Sequence, residues 1–438
     1  MRTVLFPRRV SRRWRPLAAA AALTVTASTL AACGSSGPGA SGDTLEVWVY
    51  QDGSSTIQED FVERFNEESD IDIELVSVPG ENYQDRMRTA MGGSNAPDIF
   101  FNWGGGSISD FVAEDQLVDL TPIIEDNPDL AESFVPSIME SGAVDGRYYG
   151  IPMRGVQPVI LFYNQTLFND LNVEPPETLD DLYDLVDTFT AEGITPIALA
   201  GAEEWPALMW LEYLLDRQGG SEVFQRIVDG DSSAWGDPAM LEAAQHVVDL
   251  REAGAFGDNF RSVTYTNDAI STVFAQGDAA MHLMGSWEYP NQLTNQPEFA
   301  ENDLAYTTFP VIEGGAGDPT AVVGNPTNYW SINAQVEGER LDAAIEFLRL
   351  MASEDYARAL IENGDIPATT NVDELIDEHP NPEYAQFQQE MITNASSFQL
   401  SWDQALPSRQ ATPMLNAISE LFGGSLTPEE FVNEMQNL

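Results

Sequence analysis

The chain has 438 residues and a formal net charge of −52, from 71 acidic residues against 19 arginines with no lysine. Such a charge repels phosphate backbones, which argues against a nucleic-acid-binding role, and it disfavours a strongly anionic small ligand unless arginines gather locally. Hydrophobic residues at 43% and aromatics at 10% supply a core, so the chain reads as folded rather than as an acidic disordered polymer.

Six of the 19 basic residues (Arg2, Arg8, Arg9, Arg12, Arg13 and Arg15) precede an apolar stretch, Leu17–Leu30. At 14 residues the stretch is shorter than the ~20 that a membrane span needs, so the order of charged, apolar and small residues reads as a secretory leader over 1–32. Leu30-Ala31-Ala32-Cys33 resembles the bacterial lipobox, in which the cysteine thiol is lipidated and becomes the first mature residue. Cys33 is the one cysteine, which excludes a disulfide within the chain. Ser11-Arg12-Arg13 leaves the export route, general or twin-arginine, open. The 406 residues from Cys33 on exceed what one core accommodates and suggest two domains.

Residues 33–43, rich in Gly, Ser and Pro, read as a flexible tether. Leu45–Tyr50 is a β-rich run. Ser55 and Gln58 form a candidate capping box, followed by an amphipathic helix marked by Ile57, Phe61, Val62 and Phe65. Ile71–Val78 alternates as a strand, Tyr83–Met91 is helical, and Asp98–Phe101 is a short buried strand stopped by Trp103-Gly104-Gly105-Gly106, with a helix from near Ser107. This β-α-β-α-β-α order predicts an α/β domain with a largely parallel sheet. Further strands are expected at Pro158–Tyr163, Ala279–Met284 and Thr327–Ile332. Leu304–Val311 reads as an extended crossover. Helices are expected at Thr178–Ala191, Trp205–Gln218, Ser221–Val228, Pro238–Glu252, Arg340–Met351, Ser353–Asn363, Pro413–Phe422 and Thr427–Met435.

Enzyme motifs find little support. Without lysine there is no Walker A lysine, Schiff base or Ser-x-x-Lys pair. His246, His282 and His379 are isolated and lack the spacing of a zinc site, so neither metal nor cofactor is expected. Carboxylates are too abundant for any one pair to mark a glycosidase. Aromatics at strand ends carry more information, because ligands of open α/β sheets bind beyond the carboxyl ends of the strands. Trp103 follows one strand and Trp287 another, each beside glycine. Trp205 opens a helix after Glu203 and Glu204, and Trp402-Asp403-Gln404 lies in a polar segment. Sugars present apolar C–H faces to aromatic rings and polar edges to Asn, Gln, Asp and Glu. The glycines after Trp103 would let backbone approach such a ligand. Trp48, Trp210, Trp235 and Trp330 read as packing. Arg154 reads as the salt-bridge partner of an acid rather than as the anchor of an acidic sugar.

Ala96-Pro97-Asp98-Ile99-Phe100, Gly150-Ile151-Pro152, Tyr163-Asn164-Gln165, Phe274-Ala275-Gln276-Gly277-Asp278-Ala279-Ala280-Met281 and Gly285-Ser286-Trp287 follow one another behind the lipobox. In this order the chain resembles the extracellular solute-binding proteins of carbohydrate ABC transporters. The resemblance implies an α/β fold of two lobes, each a mixed sheet flanked by helices, joined by a hinge. It divides them into 43–152 plus 311–334 (N-terminal lobe) and 153–310 plus 335–438 (C-terminal lobe). It puts a neutral di- to trisaccharide in the cleft, contacted by Trp103, Gln157, Trp205 and Trp287. Tyr50, Gln51 and Asp52 line the same mouth, with Asn102, Ser286, Trp402 and Asp403 beside it. Members of the maltose-binding type carry an acid where this chain has Gln157. Phe101-Asn102-Trp103 and Trp402–Pro407 look more like the raffinose/melibiose and xylobiose types. The resemblance further implies permease subunits as partners, a lipid anchor on Cys33 at the outer face of the cell membrane, a monomer, and binding without catalysis. A secreted glycoside hydrolase, or a surface sugar adhesin or sensor, is the alternative.

Overall fold

Leu45, Val47 and Val49 are buried on alternate positions of β1 (Thr44–Gln51), the strand that starts the first sheet. Trp48, on the opposite face, is half-buried against the edge of the same core and donates its indole N–H to Glu46 at 2.6 Å. The structure, a computed structural model, describes residues 42, 44–52, 54–80, 83–93 and 95–438. The leader, Cys33 and nearly all of the tether lie outside the described residues.

β1 pairs in parallel with β2 (Asp72–Pro79) and β3 (Ile99–Asn102), so loops leaving β1 and β3 emerge at one end of the sheet. Helices Ser55–Glu68 and Tyr83–Met91 make the connections. The expected Ser55/Gln58 box does not form. Ser55 Oγ instead accepts the Asp52 N–H at 2.9 Å, and Gln58 Nε2 reaches Tyr356 Oη at 2.7 Å. Gln58 is drawn to a distant partner because it faces the core, which leaves Ser55 to bond the chain just before it. A small hairpin, β4 (Ala143–Val144) and β5 (Arg147–Tyr148), precedes β6 (Ile151–Pro152).

The chain then enters a second sheet with β7 (Gln157–Asn164), followed by β8 (Thr195–Ala198), β9 (Ala279–Gly285), β10 (Leu304–Thr307) and β11 (Val322–Asn325). It returns to the first sheet with β12 (Tyr329–Ile332), and β13 (Phe398–Leu400) completes the second. The first sheet has the order β2-β1-β3-β12-β6, and the second β13-β11-β7-β9-β8 with β10 also on β7. Both mix parallel and antiparallel pairs. β7 and β9 are buried along their whole length, as strands covered on both faces are. Each sheet has its own core. Trp330 and Phe347 lie in the first, and Trp210, Trp235 and Trp402 in the second.

The lobe boundaries differ from the division expected above. β11 belongs to the second sheet, although 311–334 was expected with the first lobe. Helices Glu339–Leu350 and Glu354–Asn363 pack on the first core through Phe347, Tyr356 and Leu360. Segment 304–307 is no crossover, since β10 pairs antiparallel with β7. The chain passes between sheets at 153–156 and at 326–328, and rejoins the second core at Tyr384 after Ala368 has packed in the first. The apolar face of a helix announces that it packs, but not on which of two cores.

Candidate functional site

β1 and β3 are parallel neighbours, so Tyr50 and Trp103 arrive at the same sheet end. Trp103 packs edge-on against Phe101 at 4.8 Å and against Tyr50 and Tyr83, each at 5.7 Å between ring centroids. Tyr83 is locked by donating its hydroxyl to the Phe101 carbonyl at 2.9 Å. Tyr50 and Trp103 are both half-buried and form the exposed rim of this aromatic wall. Gln51 ends β1 and is exposed.

The second sheet builds a matching wall by the same device. β8 and β9 are parallel, and the loops beyond their carboxyl ends bring Trp205 and Trp287 to 6.1 Å between ring centroids. Both rings are half-buried. Tyr265 packs edge-on against Trp205 at 5.3 Å. The Glu203 carboxylate holds the loop of Tyr265 in place by accepting the Tyr265 and Thr266 backbone N–H groups, the latter at 2.9 Å. Glu204 takes a left-handed backbone (φ 48°) at the start of helix Trp205–Gly219, a conformation uncommon for a residue with a side chain. Burial pushes its carboxyl above the usual range.

The two walls face each other. Burial is the main reason the Tyr50 hydroxyl is held above its usual range, and the charges of Asp52 and of Glu203, on the opposite wall, raise it further. The Tyr265 hydroxyl is raised by burial first, then by Glu288, with Tyr50 among the remaining causes. Tyr265 and Glu203 were missed as cleft residues in the sequence, where Val263-Thr264-Tyr265 shows no periodic signal.

Other expected site residues take different parts. Gln157 is buried at the start of β7, in register with Asn325 directly after the 153–156 crossing. Asn102 is consumed by the fold. Its Oδ1 accepts the Gly104 N–H at 2.9 Å, and its Nδ2 donates to Ser331 Oγ at 2.9 Å. Ser286 is buried, its N–H donating to Pro158 O at 2.9 Å and its carbonyl accepting from Tyr384 Oη at 3.2 Å. Asp52 pairs through Oδ2 with Arg154, and its Oδ1 accepts the Ser54 N–H at 3.0 Å. Arg154 is thus the ion-pair partner that its acidic surroundings suggested.

Trp402 is a correction. It is fully buried in the second core, stacked on Phe224 at 4.7 Å and edge-on to Trp235 at 5.8 Å, so it presents no ring to a ligand. Its backbone N–H and the Ser401 hydroxyl both donate to the buried Glu212 carboxylate, at 2.7 and 2.8 Å. Burial pushes Glu212 up to about 8. Asp403 is half-buried, accepts from Gln404 Nε2 at 2.7 Å, and is pushed up to about 6, burial again being the largest cause. The glycines after Trp103 also serve the protein itself. A Cβ on Gly106 would lie 2.6 Å from the Ala405 carbonyl oxygen and one on Gly104 2.6 Å from the Ser141 carbonyl oxygen, so these glycines admit helix Trp402–Ala405 of the second lobe and the first lobe's own backbone. Gln84 Nε2 donates to Gln404 Oε1 at 2.9 Å across the same junction. A cavity beside Trp103, lined also by Tyr83, Gln84 and Ser408, has a volume of about 20 Å³, enough for a water and not for a sugar ring.

Residues 48–358 match the family described as bacterial extracellular solute-binding protein. The chain is 25% identical over 210 residues to an uncharacterised ABC transporter extracellular-binding protein of Pyrococcus horikoshii, covering 48% of this chain and 46% of that protein. The chain thus spans about half the length of the first curated relatives it matches. Among solved structures, one from work on xylan utilisation by the thermophilic bacterium Caldanaerobius polysaccharolyticus superposes with a TM-score of 0.83 at 27% identity, covering 90% of this chain and 99% of that one. A chitin oligosaccharide binding protein shares the fold with a TM-score of 0.82 at 24% identity, over 90% of this chain and 98% of its own.

Proposed function

This chain belongs to the bacterial extracellular solute-binding protein family, and on that premise we propose that it captures a neutral di- to trisaccharide for an ABC importer. The observation that carries the reading is the pair of aromatic walls, Tyr50 and Trp103 on one lobe and Trp205, Tyr265 and Trp287 on the other. Rings on both sides cover the two C–H faces of a pyranose, and Gln51 and the acids at the rim hydrogen-bond its hydroxyls. A charge of −52 disfavours an anionic sugar, and the one arginine that the cleft wall buries is paired with Asp52. The structural relatives named for xylan utilisation and for chitin oligosaccharide binding support the sugar class.

In this reading the lobes part to admit sugar and close over it by bending at the crossings. Ligand favours the closed form only through contacts better made there, which is what rings on opposite lobes supply. The closed form is presented to permease subunits while lipid on Cys33 holds the monomer at the membrane, and no bond of the sugar is broken. Among the described residues no helix is long and apolar enough to cross a membrane, and an anchor at Cys33 would need none. Calorimetric titration with xylobiose, N,N′-diacetylchitobiose, melibiose, raffinose and maltotriose tests the reading. One of them binds at one site per chain and is recovered unhydrolysed. Heat from none, or release of monosaccharide, contradicts it.

A further inference from the structure

Arg154 lies on the 153–156 crossing, and its side chain is 3% exposed. Neighbouring crossings hold its backbone on both sides. The Arg154 carbonyl accepts the Thr327 hydroxyl at 2.7 Å, Met153 N–H donates to Asn328 O at 2.8 Å, and Val156 N–H donates to Ile366 O at 2.8 Å. The guanidinium reaches from these segments into the first lobe. There it pairs with Asp52, donates to the Tyr50 carbonyl at 3.2 Å and lies 5.1 Å over the Phe101 ring. Phe101 in turn packs on Tyr50 at 5.5 Å and on Trp103 at 4.8 Å. The buried Asp365, beside the Ile366 that accepts from Val156, adds a second carboxylate to this charge. It accepts from Ser54 Oγ at 3.3 Å and from Asn363 Nδ2 at 2.9 Å. Burial raises Asp365 above the usual range while Arg154 acts in the opposite direction.

One side chain therefore joins the segments about which the lobes bend to the carboxyl end of β1 and to the ring that supports Trp103. An arginine suits this task because its planar fork reaches two acceptors at once and its face lies on an aromatic ring, which a lysine ammonium does not reproduce. Resting on the sugar-capture reading, we propose that Arg154 is a positioning residue: it couples the angle between the lobes to the placement of Tyr50 and Trp103 without touching the ligand. Bending at 153–156 moves the Arg154 backbone and pulls the end of β1 with it. Sugar held between the walls acts in reverse and biases the crossings toward the closed arrangement.

The test compares wild type with Arg154→Gln, Asp52→Ala and the double variant by calorimetric titration with the five sugars and by X-ray scattering of the ligand-free protein. Arg154→Gln is expected to weaken the sugar that wild type binds at least tenfold and to increase the ligand-free radius of gyration. Asp52→Ala is expected to reproduce much of both effects, and the double variant to add little to Arg154→Gln, since both act through one connection. Wild-type affinity and radius in Arg154→Gln overturn the proposal, as do losses that simply add in the double variant. Should Arg154→Gln not fold, Arg154→Lys, which keeps the charge but not the fork, is expected to fold and to show an intermediate loss, and wild-type behaviour in it overturns the proposal. A wild type that binds none of the sugars contradicts the sugar reading alone, because the ligand-free scattering still decides whether Arg154 sets the lobe angle.

Discussion

Replacing Glu212 by Gln is expected to remove a large part of the protein's loss of stability with rising pH. Glu212 is fully buried on helix Trp205–Gly219, and its Oε1 accepts from Ser401 Oγ and the Trp402 N–H, while Oε2 has no hydrogen-bond partner among the described residues. Burial raises its carboxyl from 4.5 to about 8. Between those values the folded protein keeps the proton and the unfolded chain releases it. Stability attributable to this group is therefore unaffected below about pH 4.5, falls as pH rises, and levels off above about 8. At about 1.4 kcal/mol per pH unit the whole interval amounts to about 5 kcal/mol. Gln mimics the protonated acid, since its carbonyl accepts the same two donors. Urea unfolding followed by the fluorescence of Trp210, Trp235 and Trp402, which share the second core, should show the variant more stable than wild type at pH 8.5 and similar to it at pH 4.5. Parallel stability curves across that range would refute the reasoning.

Three other substitutions separate the walls from the core. Trp287→Ala removes a half-buried ring from the second wall and is expected to weaken sugar binding more than tenfold, consistent with the ~2 kcal/mol or more of an aromatic anchor, with the circular dichroism spectrum unchanged. Trp402→Ala empties a fully buried site stacked on Phe224, and its cost of about 3–5 kcal/mol in urea unfolding marks a structural residue. Gly106→Val places a Cβ where the Ala405 carbonyl oxygen lies 2.6 Å away, so scattering should record a more open ligand-free particle; an unchanged profile would mean that this junction does not hold the lobes together.

Much of this architecture was legible because backbone and apolar periodicity are local. The order of β1 to β3 and the helices Tyr83–Met91, Ser221–Val228 and Pro238–Glu252 follow from spacing alone. The places of Trp103 and Trp287 directly beyond β3 and β9 were legible for a similar reason, since each follows a buried strand in sequence, although the glycines beside them make room for protein atoms. What escaped is set by distant partners. Trp402 lies in a polar stretch, yet its ring reaches Phe224 and Trp235, and the acid that seats it, Glu212, is 190 residues away. The glycines at 104–106 announce close approaches without saying what approaches: Tyr329 and the Ser141 carbonyl at Gly104, Leu400 and Gln404 at Gly105, Ala405 and Leu406 at Gly106. Tyr265 joins the cleft because Glu203, on another loop, captures its backbone. β11 was unrecognised because Gly324, Asn325 and Pro326 make its end read as a turn, although Val322 and Val323 are buried in the second sheet.

The central claim is that two aromatic walls close on a neutral sugar. Thermal unfolding of the protein with each of the five sugars tests it most directly, because a ligand at 100 times its dissociation constant stabilises the folded state by about 2.7 kcal/mol. A rise in melting temperature is expected with at least one di- or trisaccharide, and it is lost in Trp287→Ala. An unchanged melting temperature with every sugar, or a rise that survives Trp287→Ala undiminished, would contradict it.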